Sequence, residues 1–68
     1  MIYTHRVTWT RHWIEGSLEG CRATDSVRFE CGEQAADYAD YLRGITHLTY
    51  CGRWVAEDVE IHQLMENA

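Results

Sequence analysis

Four histidines, three cysteines and two serines are the residues of this 68-residue chain that could ligate a metal or act as nucleophiles. Their spacing speaks against both uses. A zinc centre is built from pairs such as CxxC or HxxxH, in which one turn or one helix face aims two donors at the ion. Neither pattern occurs, and His5 and His12 are seven residues apart, hence on opposite faces of any strand that holds both. Ser17 and Ser26 stand in no nucleophile motif, and a chain of this length leaves little room for a closed substrate pocket. The expectation is a protein without metal, cofactor or turnover of its own, hence not an enzyme.

The cysteines carry a second message. An odd count without CxxC fits a reducing, cytoplasmic compartment. If residues 21–31 form one strand, Cys21 and Cys31 sit about 33 Å apart at its ends, far beyond the roughly 7 Å that a disulfide spans between Cα atoms. Cys31 with Cys51 stays geometrically open, and all three are expected to be small buried hydrophobes. No run approaches the roughly 18–20 apolar residues of a membrane span, and Arg6, Arg11 and His12 interrupt any apolar stretch of a secretory signal.

Charge is distributed unevenly. Residues 1–28 hold four arginines against three acids and residues 29–68 hold two arginines against eight, so the net charge of −5 resides in the second part. Glu33, Asp37 and Asp40 share one face if their segment is helical, advancing about 6.0 and 4.5 Å along the axis. A B-DNA strand sets a phosphate about every 3.4 Å, so the stripe is similar in scale and sparser in charge. Glu30, Glu57, Asp58, Glu60 and Glu66 extend the acidic field. Such a surface can compete for a basic groove, although an ordinary solvated helix face has the same pattern. Direct nucleic-acid binding fits less well. Trp9, Trp13, Arg6 and Arg11 could supply stacking and charge, but both tryptophans fall on the strand face expected to be covered, and net negative charge opposes phosphate binding.

These residues need elements to position them. Residues 2–14 alternate, with Tyr3, His5, Val7, Trp9, Arg11 and Trp13 on one side, the period of a half-buried strand. Glycines 16 and 20 mark a hairpin loop. Residues 21–30 resume the alternation, with Asp25 as the inward exception and a kink expected there. From Gly32 the period changes: Ala35, Tyr38, Ala39 and Leu42 fall on one helical face over 33–43, with Gly44 as the expected C′ residue. Residues 45–50 read as a short strand, 51–53 as a turn and 54–62 as a longer strand, with Val55, Val59 and Ile61 on one face and Trp54, Ala56, Asp58, Glu60 and His62 on the other. The chain is thus expected to be a single α+β domain over 1–68: a small antiparallel sheet in ββαβ or ββαββ order with one helix on one face. Val7, Trp9, Val27, Phe29, Leu42, Val59 and Ile61 are its expected core. The other face is expected to be polar, with Asp58 and Glu60 near Arg6, Arg22 and Arg28 if the last strand pairs with the first.

The stretch Val7-Thr8-Trp9-Thr10-Arg11, the turn Glu15-Gly16-Ser17-Leu18-Glu19-Gly20 and the strand Asp25-Ser26-Val27-Arg28-Phe29 resemble small phage-encoded accessory proteins. The best understood group of that build is the anti-CRISPR proteins. The resemblance implies an inhibitor in the host bacterial cytoplasm that covers the DNA-recognising surface of a CRISPR surveillance complex with an acidic, DNA-mimicking face. Anti-CRISPR proteins share no common motif, so the expected contact residues, Glu30, Glu33, Asp37, Asp40, Asp58 and Glu60, come from charge alone. The alternative is a small nucleic-acid-binding or homodimeric scaffolding module of phage origin.

Overall fold

The computed structural model describes residues 2–64. Strands β1 (His5–Gly16) and β2 (Arg22–Phe29) form the first hairpin, helix α1 (Gly32–Gly44) follows, and strands β3 (His47–Thr49) and β4 (Gly52–Gln63) form a second hairpin. The chain has the ββαββ order, and its four strands make one antiparallel sheet in the order β2-β1-β4-β3. The first and last long strands therefore lie side by side in the middle. The β1–β2 ladder runs without a register shift from His5 opposite Phe29 to His12 opposite Arg22. The kink expected at Asp25 is absent; Arg11 donates to its carboxylate at 2.5 Å and holds it on the regular strand.

The irregularity lies in β4 instead. Thr8 pairs with Glu60 but Thr10 pairs with Glu57, so Trp9 faces two residues, Asp58 and Val59. Asp58 takes φ = 52°, and it is the extra residue of a β-bulge. An extra residue shifts the period by one. Trp54 and Ala56 point to the helix side before the bulge, and Val59 does so after it. The strict alternation read from the sequence put Trp54 and Ala56 on the face opposite Val59, and the bulge reverses that assignment. A second shift, between Trp13 and Glu15, makes Ile14 the unpaired residue of β1.

Helix α1 has Glu33 in its first turn and Arg43 in its last, matching the helix dipole. It runs through Gly44 and ends at an extended Ile45, so Gly44 is not the left-handed terminator expected. Val7, Trp9, Trp13, Ala35, Ala39, Leu42 and Trp54 are buried, with Leu18, Phe29, Tyr38, Ala56 and Val59 packed against them. Val27 and Ile61, expected in the core, are 36% and 40% exposed. The helix is both shorter and narrower than the sheet it covers. A 12-residue strand extends about 40 Å at 3.3 Å per residue, whereas a 13-residue helix covers about 20 Å, and the molecule measures 44 × 19 × 19 Å. Val27 and Ile61 are the neighbours of fully buried Val7 on either side, where the narrow helix no longer shields them. The far end of the sheet is closed by side chains rather than by the helix. Trp13 packs edge-on against Trp54 with ring centroids 6.4 Å apart, and His47 stacks on Trp54 at 4.0 Å.

Cys21, Cys31 and Cys51 are free and exposed, against the expectation of burial. Each stands where an element begins or turns: before β2, at the N-cap of α1 and in the β3–β4 turn. Strand alternation no longer decides burial at such positions. No helix among the described residues is long and apolar enough to cross a membrane.

Candidate protein-docking site

The core-facing positions of α1, Ala35, Ala39 and Leu42, decide where its charges go. At about 100° per residue, Glu33, Asp37 and Asp40 lie on the far side of the helix from that core, and all three are exposed. Arg43 reaches Asp40 at 3.6 Å and also donates to the Val59 backbone carbonyl at 3.1 Å. Glu30 stands exposed between β2 and the helix, and its backbone carbonyl accepts a hydrogen bond from Thr4 Oγ1 at 3.0 Å. Four of the six expected contact residues therefore sit on or beside the helix.

Asp58 and Glu60 belong to the other layer. Asp58 is the exposed bulge residue of β4. Glu60 lies opposite Thr8 on the open sheet face and pairs with His62 at 3.3 Å. The six acids thus form two groups on different layers rather than one continuous surface. Glu66 lies outside the described residues.

The open sheet face neutralises itself. Glu57, not Asp58, faces the cations expected there, because the bulge carries Asp58 out of the alternation. It accepts from His12 Nδ1 at 2.6 Å and from Arg22 Nε at 3.4 Å. The hydrogen bond from His12, opposed in part by desolvation and reinforced by Arg22, holds the Glu57 carboxyl below its ordinary value. Glu15 pairs with Arg53 across β1 and β4 at 3.8 Å; on the helix side Asp25, opposite buried Trp9, takes Arg11, which lies over the Trp54 ring. Counted along the strands, Arg6, Arg11, Arg22, Arg28 and Arg53 balance Glu15, Asp25, Glu57, Asp58 and Glu60. The helix holds Glu33, Asp37 and Asp40 against Arg43 alone. The excess negative charge of the described elements is therefore on the helix layer.

An aromatic groove adjoins the acidic stripe, and the charge pattern gave no sign of it. Gln34, Tyr38 and Tyr41 follow one another at i, i+4 and i+7 along α1, a second stripe whose spacing was legible in the sequence. Phe29 comes from the end of β2, and only the fold brings it there. Together with Asp37 these residues line an open groove of about 500 Å³. Tyr38 is its centre: Phe29 lies at 5.4 Å, Trp9 edge-on at 5.6 Å and Tyr41 at 5.9 Å between ring centroids. Burial, with Tyr41 and Asp25 nearby, pushes the Tyr38 phenol up from its ordinary value, so its ring stays neutral. Asp37 belongs to both the groove and the acidic stripe.

Among the described residues no group of three or more His, Cys, Asp or Glu side chains is arranged to hold a metal ion. No family model matches the chain, and no curated protein or solved structure matches it either.

Proposed function

We propose that this protein is an inhibitor of the anti-CRISPR type, acting by docking the outer face of α1 on a basic, DNA-binding surface of a bacterial nucleoprotein complex. The observation that carries this reading is the separation of charge between layers: strand charges balance, while Glu33, Asp37 and Asp40 stand exposed on the side of the helix away from the sheet. A fixed row of carboxylates raises the local concentration of a basic partner and orients it on approach. The partner is a protein, since an acidic face repels phosphates.

Direct nucleic-acid binding has less support. Arg11, Arg22 and Arg53 are each held by a carboxylate and Arg28 covers Tyr3 at 4.9 Å, so few sheet cations are available for a backbone. Scaffolding through sheet edges also meets obstacles. Asp25 Oδ1 accepts the Ser26 N–H on edge strand β2 at 2.9 Å, and Arg43 occupies the Val59 carbonyl of β4. Side chains that take up edge groups blunt strand addition.

The test is DNA displacement from purified CRISPR surveillance complexes, followed by gel shift. The unmodified protein should release DNA from one of them, more weakly as salt rises, because exposed charges are screened within about 8 Å at physiological ionic strength. The triple reversal Glu33→Lys, Asp37→Lys, Asp40→Lys should fold and release none. An equally potent triple reversal, or a shift of DNA by the protein alone, would overturn the reading.

A further inference from the structure

We infer that the groove between α1 and the end of β2 is a receptor for an arginine side chain of the partner, so that docking selects arginine over lysine. This deepens the acidic-face reading and rests on it. Three features converge on the groove. Its walls are aromatic, from Phe29, Tyr38 and Tyr41, and Tyr41 is 51% exposed although its neighbour Tyr38 is packed from several sides. Its rim carries the Asp37 carboxylate, with Glu33 and Asp40 about one turn to either side. The Gln34 amide lines it as well and can accept through its oxygen.

Ring faces present negative charge, so a cation settles over them, and guanidinium does so more often than ammonium. The planar guanidinium also pairs with a carboxylate through two parallel N–H donors, which the point charge of lysine cannot do. A flat cation lying on Tyr41 with its edge at Asp37 satisfies both requirements at once. A phosphate or a carboxylate in the same place would meet Asp37 as a like charge. The groove therefore fits a basic partner, and within basic partners its ring adds to the preference for arginine that two-pronged pairing with a carboxylate already gives.

The experiment uses the intact protein and two probes, a nine-residue arginine peptide and a nine-residue lysine peptide, titrated at low salt with the Tyr41 ring protons followed by NMR. The arginine peptide should bind about fivefold more tightly, the upper end for an exposed cation–aromatic contact, and should shift the Tyr41 ring resonances. Tyr41→Leu should weaken the arginine peptide more than the lysine peptide and so shrink this preference to what carboxylate pairing alone gives; Tyr41→Phe, which keeps the ring, should retain it. Equal affinities for the two peptides in the unmodified protein, with both lost in the Glu33/Asp37/Asp40 reversal, would overturn the arginine receptor and leave the acidic face standing. Binding of neither peptide would overturn both. An undiminished preference in a folded Tyr41→Leu protein would overturn the receptor as placed here.

Discussion

Gly16 and Gly52 face each other across β1 and β4 so closely that neither position has room for a side chain. A Cβ on Gly16 would fall 2.3 Å from the Cys51 carbonyl oxygen, and one on Gly52 would fall 1.9 Å from that of Glu15. Both residues also have positive φ, 101° and 125°, which side chains disfavour. This contact closes the end of the sheet where the second hairpin joins the first, and Ser17 N–H donates to the same Cys51 carbonyl at 3.0 Å.

Gly16→Ala and Gly52→Ala should each cost about 2–4 kcal/mol, because backbone strain and backbone collision add. Gly20→Ala separates the two causes. Gly20 has φ = 90° but nothing within 4 Å of an added Cβ, so its cost should stay near the 1–2 kcal/mol of an unfavourable backbone conformation alone. Urea midpoints compare the three; equal losses would mean that collision contributes nothing.

Deleting Asp58 should leave the fold standing. Without it the strand alternates Trp54, Ala56, Val59 inward with Glu57 and Glu60 outward, and Val59 lies directly opposite Trp9. Deleting Val59 instead should move Asp58 into the apolar position and destroy cooperative unfolding, since an unpaired carboxylate under the helix has no partner to offset its desolvation. Circular dichroism melts of the two deletions decide the matter, and a Δ58 chain as unstable as Δ59 would show that the bulge is required.

Trp9→Ala should cost about 3–5 kcal/mol, the range for large aromatic-to-alanine changes in cores. Trp9 is 4% exposed and packs edge-on against Tyr38. Val27→Ala should cost less than about 1 kcal/mol, because much of that side chain already meets water. Denaturation midpoints that place the two variants together would contradict the position of the helix over β1.

Acid should remove a defined part of the stability. Glu57 has a carboxyl pKa below its ordinary 4.5 in the folded state, caused first by the hydrogen bond from His12. A depressed folded pKa means that the unfolded chain binds the proton more tightly, so this contribution is complete above the unfolded value and is lost as pH falls through the folded one. Glu57→Gln should lower the urea midpoint at neutral pH and flatten its dependence on pH below the usual glutamate range. An unchanged slope there would mean that the His12–Glu57–Arg22 cluster has no energetic role.

Reading residues alone reached the elements of this protein because local periodicity is a local property. Alternation over Tyr3–Trp13 and the 3.6 period of Ala35, Tyr38, Ala39 and Leu42 follow from which side chains must leave water, and they determine the leading strands, the helix and the outward placement of Glu33, Asp37 and Asp40; whether one strand or two follow the helix is settled only by the pairing of His47–Thr49 with β4. Three further things were decided only by the tertiary structure. The bulge at Asp58 arises from pairing β4 with β1, and one extra residue there exchanges the faces of Trp54 and Glu57 relative to simple alternation. Exposure of Val27 and Ile61 depends on which strand the helix lies over: they flank buried Val7 at the same level of the sheet, beyond the width the helix covers. The aromatic groove needs Phe29 from one strand end beside Tyr38 and Tyr41 from the helix. No periodicity encodes such a meeting, because it depends on where two elements stop relative to each other in space.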